Sequence, residues 1–182
     1  MWKTALAVVF ALAIGATASA EQRKDLQIFR DISEQVNRYT QFTIFDNVEA
    51  EVTNGRIVLT GAVTMPYKKD DIERRVRAVD GVAAVENRIE VLPVSTMDDE
   101  LRYRIARAIY GNSAFWNYAA MANPPIHIVV KNGHVTLVGV VNNNVERMLA
   151  RSLATGFGEF DVRNALKTDA EMREELERIP RM

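Results

Sequence analysis

Asn54-Gly55-Arg56-Ile57-Val58-Leu59-Thr60-Gly61 returns downstream as Asn132-Gly133-His134-Val135-Thr136-Leu137-Val138-Gly139. Asn-Gly between runs of alternating apolar residues is the strongest short-range signal of a β-hairpin, because both central residues of a type I′ turn need positive φ. Val48, Ala50 and Val52 alternate up to the first turn, and Ile57, Leu59 and Val63 alternate away from it. Around the second turn Ile126, Ile128 and Val130 lead in, and Val135, Leu137 and Val141 lead out. The match goes on: Gly81-x-x-x-Val85-x-Asn87-x-Ile89 recurs as Gly158-x-x-x-Val162-x-Asn164-x-Leu166. A unit of this length present twice is a duplicated domain, not a solenoid of short repeats.

Helical patterns flank each hairpin. Ile28, Ile32, Val36 and Tyr39, with Phe29, share one face over residues 25–39. A second helix starts near Pro66, which is tolerated in a first turn because it has no N–H to leave unpaired. It carries Ile72, Val76 and Val79, with Gly81 placed as its C-terminal cap. Val85, Asn87, Ile89 and Val91 form a last strand. The second unit repeats the order. Its first helix shows Leu101, Ile105, Ala108 and Ile109, and Asn142 to Asn144 offer caps for a helix with Ala150, Leu153, Ala154 and Phe157. Gly61 and Gly139 share an inward slot in their strands, which suggests a bulge or a neighbour too close for a side chain. The expected boundaries are a leader at 1–20, domains at 25–94 and 97–168, and a helical tail at 169–182 bearing Met172, Leu176 and Ile179. The link Leu92 to Met97 is short, and Thr96 with Asp99 reads as a capping box, so the domains should sit close.

The leader has a basic start at Lys3, an apolar run from Thr4 to Ile14, and Ala18-Ser19-Ala20 as a small-x-small cleavage site. That pattern marks a signal peptide, and the run falls short of the ~20 residues that span a bilayer. There is no cysteine, so neither a disulfide nor a lipid on a leading cysteine is available. Lysine and arginine number 23 against 24 aspartates and glutamates. Without a basic surplus the chain is not expected to bind nucleic acid.

The pattern Asn-Gly-x-[aliphatic]-x-Leu-x-Gly, then a helix, then Gly-x-x-x-Val-x-Asn-x-[aliphatic], resembles the BON domain, and it occurs twice behind a leader. The resemblance implies an α/β (α+β) fold: two small αββαβ domains, each a three-stranded mixed sheet with two helices on one face. It also implies a cell-envelope location and binding rather than catalysis. On this reading Gly55, Gly61, Gly81, Gly133, Gly139 and Gly158 serve turns and close approaches.

The inventory for chemistry is thin. His127 and His134 lack a carboxylate or second histidine at metal-ligand spacing and are expected as surface residues. Asp70-Asp71 and Asp98-Asp99-Glu100 lie where negative charge complements a helix dipole. No catalytic residue, metal or cofactor is expected. Only Leu101 to Met121 exceeds structural need. Opposite the core stripe stand Tyr103, Arg107 and Tyr110, flanked by Arg102. Phe115, Trp116, Tyr118 and Met121 follow in an extension that the first unit lacks. Arginine beside large rings suits an anionic phospholipid surface. It suits a protein-binding hot spot too, and the rings of the extension equally fit an enlarged core. The expectation is a non-enzymatic, periplasmic envelope protein docking on anionic phospholipid through its second domain. The alternative is a protein-interaction or stress-protective factor, chaperone-like, using the same aromatic patch or the inter-domain groove.

Overall fold

A computed structural model describes residues 15–178, with side chains described over 24–174. The first unit comprises α1 (Gly15–Asn37), β1 (Asn47–Thr53), β2 (Arg56–Val63), α2 (Pro66–Arg77), β3 (Ala84–Asn87) and β4 (Glu90–Val91). The second comprises α3 (Thr96–Tyr110), a 3-10 turn at Ser113–Phe115, α4 (Trp116–Ala119), β5 (Ile126–Lys131), β6 (His134–Val141), α5 (Asn144–Leu153) and β7 (Asp161–Thr168). A final helix, α6, runs Asp169–Arg178. Residues 1–14 of the expected leader, and Ile179 of the tail stripe, lie outside the described residues, while residues 15–20 open α1.

Each sheet is mixed, as the duplicated pattern requires. β1 pairs antiparallel with β2, and β3 and β4 pair parallel with β2. In the second sheet β5 is antiparallel and β7 parallel to β6. The registers coincide: Ala50 faces Leu59 where Ile128 faces Leu137. Both turns have positive φ at the asparagine and at the glycine, +51° at Asn54 and Asn132, as a type I′ turn demands. A Cβ on Gly61 would collide with the carbonyl oxygen of Asn47, and one on Gly139 with that of Pro125. Close backbone approach fixes those two glycines.

The helices bury their stripes on one face of each sheet. Ile28, Ile32 and Val36 meet Ile57, Leu59 and Ile72 in the first core. Leu101, Ile105 and Ile109 meet Ile126, Ile128 and Leu137 in the second. Three local expectations need correction. Gly81 is not the cap of α2, which ends on Ala78 in right-handed geometry with its N–H bonded to Arg75 and Val76. Gly81 lies in the turn beyond, pressed against Ile28. The cap of α3 is Ser95, whose hydroxyl accepts from the amide of Asp98 at 3.2 Å, so Thr96 already belongs to the helix. The last strand of the first unit is interrupted at Arg88 and Ile89, which separate β3 from β4; the Asn87 side-chain oxygen accepts from the amide of Ile89 there, as that of Asn164 does from the amide of Leu166 in the unbroken β7.

Candidate functional site

Between the two units runs a groove of about 1350 Å³. One wall is α1 with Leu26, Phe29 and Val36, beside the outer strand β1. The other is the face of the second sheet that carries no helix, with His127, Val138, Val140 and Ala165, closed by Met172 of α6. The second sheet presents apolar side chains there because Val138, Val140 and Ala165 alternate with inward Leu137, Val141 and Leu166. Apolar side chains predominate in the lining, with Asp25, Ser33, Asn37, Glu49 and Lys167 among the polar ones. No cluster of three His, Cys, Asp or Glu able to hold a metal ion occurs among the described residues.

The segment between α1 and β1 locks the units together. Asp46 is fully buried and accepts from Thr43 and Thr64, through amide and hydroxyl of each, at 2.8–2.9 Å. Lys68, itself buried, donates to it at 2.7 Å. Burial pushes this carboxyl up, but the bonds from Lys68, Thr64 and Thr43 outweigh burial and hold it below the usual carboxylate range. Thus anchored, the segment reaches across. The carbonyl of Ile44 accepts from the amide of Ile128 at 2.7 Å, and the carbonyl of Asp46 accepts from Nδ1–H of His127 at 2.6 Å. Phe42 packs on the His127 ring, and Phe45 meets Tyr103 edge-on. His127 does point away from its own core, but the first unit covers it, which corrects the expectation of a surface histidine. Burial lowers its pKa, against the opposing bonds to Asp46 and Thr43. His134 is exposed.

The expected docking face divides. Arg102 is buried at 4 % exposure, donates to the carbonyl of Val130 at 2.6 Å and pairs with Asp99. Its neighbour Leu101 sits in the core, so its guanidinium runs up to the sheet edge and is not free for phosphate. Tyr110 is half-buried, with its hydroxyl donating to the carbonyl of Ile126 and accepting from the amide of Ile126. Phe115 and Tyr118 stack inside the second core. The Tyr118 hydroxyl donates to Glu146 at 2.7 Å and is pushed up to about 12 by burial and by that carboxylate. Tyr103, Arg107 and Trp116 remain exposed, Tyr103 at 66 % and Trp116 at 75 %.

The family model for the BON domain matches twice, over residues 24–93 and 100–170. The chain belongs to the BON-domain family. Among curated proteins none matches it significantly. Two solved structures are similar at low identity. CdsD, a structural protein of the type III secretion system of Chlamydia trachomatis, is 15% identical over 85% of this chain and 99% of that one, with a TM-score of 0.29. The C-terminal domain of CdsD is 13% identical over 75% and 94%, with a TM-score of 0.28.

Both BON domains use one device that helix-dipole reasoning missed. Asp25 accepts from the amides of Asn54 and Gly55 at 2.7 and 3.0 Å, and Asp98 accepts from those of Asn132 and Gly133, both at 2.8 Å. A carboxylate in the first helix therefore clamps each hairpin tip. The signal was present: Asp25 stands three residues before Ile28, and Asp98 three before Leu101. The repeated asparagine works similarly. Asn87 donates to the carbonyl of Lys69, and Asn164 to that of Arg147, tying the last strand to the second helix of each BON domain.

Proposed function

We propose that this tandem BON-domain protein is a non-catalytic cell-envelope binding protein that holds a polypeptide partner in the groove between its two domains. The groove carries the reading. Its volume of about 1350 Å³ exceeds the ~300–1,000 Å³ of sites for small molecules. Its lining is mainly apolar and interspersed with polar side chains on both walls, which suits a chain segment with mixed side chains. The envelope location rests on the family resemblance and the leader pattern. Among the described residues, no helix is long and apolar enough to cross a membrane. The test is a photo-crosslinking residue at Phe29 or Val138 of the whole protein in living cells, with exposed Val145 as control. Polypeptide adducts specific to the two groove positions support the reading. Adducts equally frequent at Val145, or none at Phe29 and Val138, refute it.

A second reading has its own observation. Tyr103 and Trp116 are largely exposed, and Arg107 is exposed with them, a composition that suits an anionic phospholipid surface. The docking residues are then Tyr103, Arg107 and Trp116, without Arg102. Co-sedimentation with anionic vesicles should fall for Arg107→Ala and Trp116→Ala and stay unchanged for Glu49→Gln. Binding indifferent to lipid charge would refute it.

A further inference from the structure

The two domains treat the same strand edge differently. The matched registers place the N–H and C=O of Ile126, Ile128 and Val130 on the outer edge of β5, and those of Val48, Ala50 and Val52 on the outer edge of β1. In the second domain four of those six groups find partners within the chain. The Tyr110 hydroxyl bonds both backbone groups of Ile126, the carbonyl of Ile44 takes the amide of Ile128, and Arg102 takes the carbonyl of Val130. In the first domain Phe29 stands in the helix where Arg102 stands, and Asn37 where Tyr110 stands, counting from the clamping residues Asp25 and Asp98. Neither replacement bonds β1. Among the described residues β1 pairs with β2 alone, and Phe29, Asn37, Val48, Ala50 and Val52 all line the groove.

We propose that the open edge of β1 takes up an extended polypeptide as an added strand, with basic residues alternating with apolar ones. The inference rests on the reading of the groove as a polypeptide site. Segment 43–46 on the edge of β5 is the internal template: a backbone carbonyl on the middle residue, and a large ring, Phe45, packed beside the first helix. Strand addition draws affinity from main-chain bonds and specificity from alternate side chains. The charge of β1 selects those side chains. Glu49 and Glu51 share one face, are exposed, and oppose the uncharged Thr60 and Val58 on β2. Neither makes an ion pair among the described residues, and a cation on the added strand would stand directly across. On the opposite face the alternate residues would meet Leu26 and Phe29 of α1. The same glutamates disfavour a second molecule of this protein at the edge, because β1 against β1 would set carboxylate beside carboxylate.

The test is fluorescence anisotropy of the whole protein with a labelled, end-capped peptide of alternating valine and lysine. Two further peptides carry N-methyl groups on every valine or on every lysine, and a fourth replaces lysine by glutamate. An added strand turns only alternate N–H groups toward β1. One methylated peptide should therefore lose at least about tenfold in affinity while the other keeps it, and which one reports antiparallel or parallel addition. The glutamate peptide should bind about tenfold more weakly than the lysine peptide, and the double change Glu49→Lys, Glu51→Lys should reverse that order. Amide resonances of Val48 and Ala50 should shift on titration. Equal binding of both methylated peptides overturns strand addition, and no binding of the lysine peptide overturns it too. Val138→Trp, which fills the groove from the other wall, separates the two ideas. If it abolishes binding while both methylated peptides bind equally, the groove stands and the strand falls. If it leaves binding intact, the groove reading falls as well.

Discussion

Asp46→Ala should be the most damaging single change in the first BON domain, and the structure says by how much. The carboxylate is fully buried and accepts five hydrogen bonds, one of them from an ammonium group with 5 % side-chain exposure. Removing one partner of a buried pair strands the other charge, which costs ~3–5 kcal/mol. A domain of about 70 residues has only ~4–10 kcal/mol in total, so the variant should be close to unfolded at room temperature. The double change Asp46→Ala, Lys68→Met leaves the threonine donors equally bereft but removes the stranded ammonium, and should recover ~2 kcal/mol or more. The assay is urea unfolding followed by far-UV circular dichroism, comparing midpoints at constant slope. Were the single variant no less stable than the double one, the buried cation would not be the source of the cost. The account of the pair would then be wrong.

Three further outcomes follow from the geometry. Gly139→Ala should destabilise the second domain by ~2 kcal/mol or more, since the methyl group meets the Pro125 carbonyl and φ is +118°; an unchanged thermal midpoint would contradict the close approach. Asp98→Ala should cost ~1–3 kcal/mol by leaving two amides of the hairpin tip unmet, and slower hydrogen exchange at Asn132 and Gly133 in the variant would count against the clamp. The pH dependence has a definite sign. The folded pKa of His127 is depressed, so its contribution is present above the unfolded value of about 6.5 and is lost as pH falls through the folded value. Asp46, also depressed, withdraws its contribution only at pH values below the usual carboxylate range. Between pH 7.5 and 5 the native protein should therefore lose more stability than His127→Gln, and parallel losses would exclude the histidine as the cause.

The fold was legible wherever its cause is local. Asn54-Gly55 and Asn132-Gly133 state their turn in two residues, and the 3.6-residue stripes of Ile28 or Leu101 state their face. Gly61 and Gly139 could be flagged as close approaches because a strand interior otherwise avoids glycine. The expected docking face was less legible because its residues answer to partners far along the chain. Arg102 resembles a surface cation until the carbonyl of Val130, 28 residues on, claims it. Phe115 and Tyr118 differ from Trp116 only in which way a short 3-10 turn and helix α4 aim them. Periodicity over so few residues cannot distinguish those directions. His127 shows the same limit from the other side: alternation placed it outside its own core, and nothing nearby in sequence announced that Asp46 and Phe42 would cover it.

The segment from Thr43 to Asp46 also sets an order of events. It belongs to the first domain, which leaves the ribosome first, and it serves the second, whose strand β5 is made some eighty residues later. The anchor of that cover, Asp46 with Lys68, lies wholly within the first domain and needs nothing from β5. At the strand edges the dependence runs one way. Severed from its predecessor, the second domain would expose the amide of Ile128 and invite the edge-to-edge sticking that open strands promote, whereas the first loses nothing that its own edge relies on. The duplicated halves are thus not interchangeable modules: one is a chaperoning neighbour within the chain, and the other is its dependant.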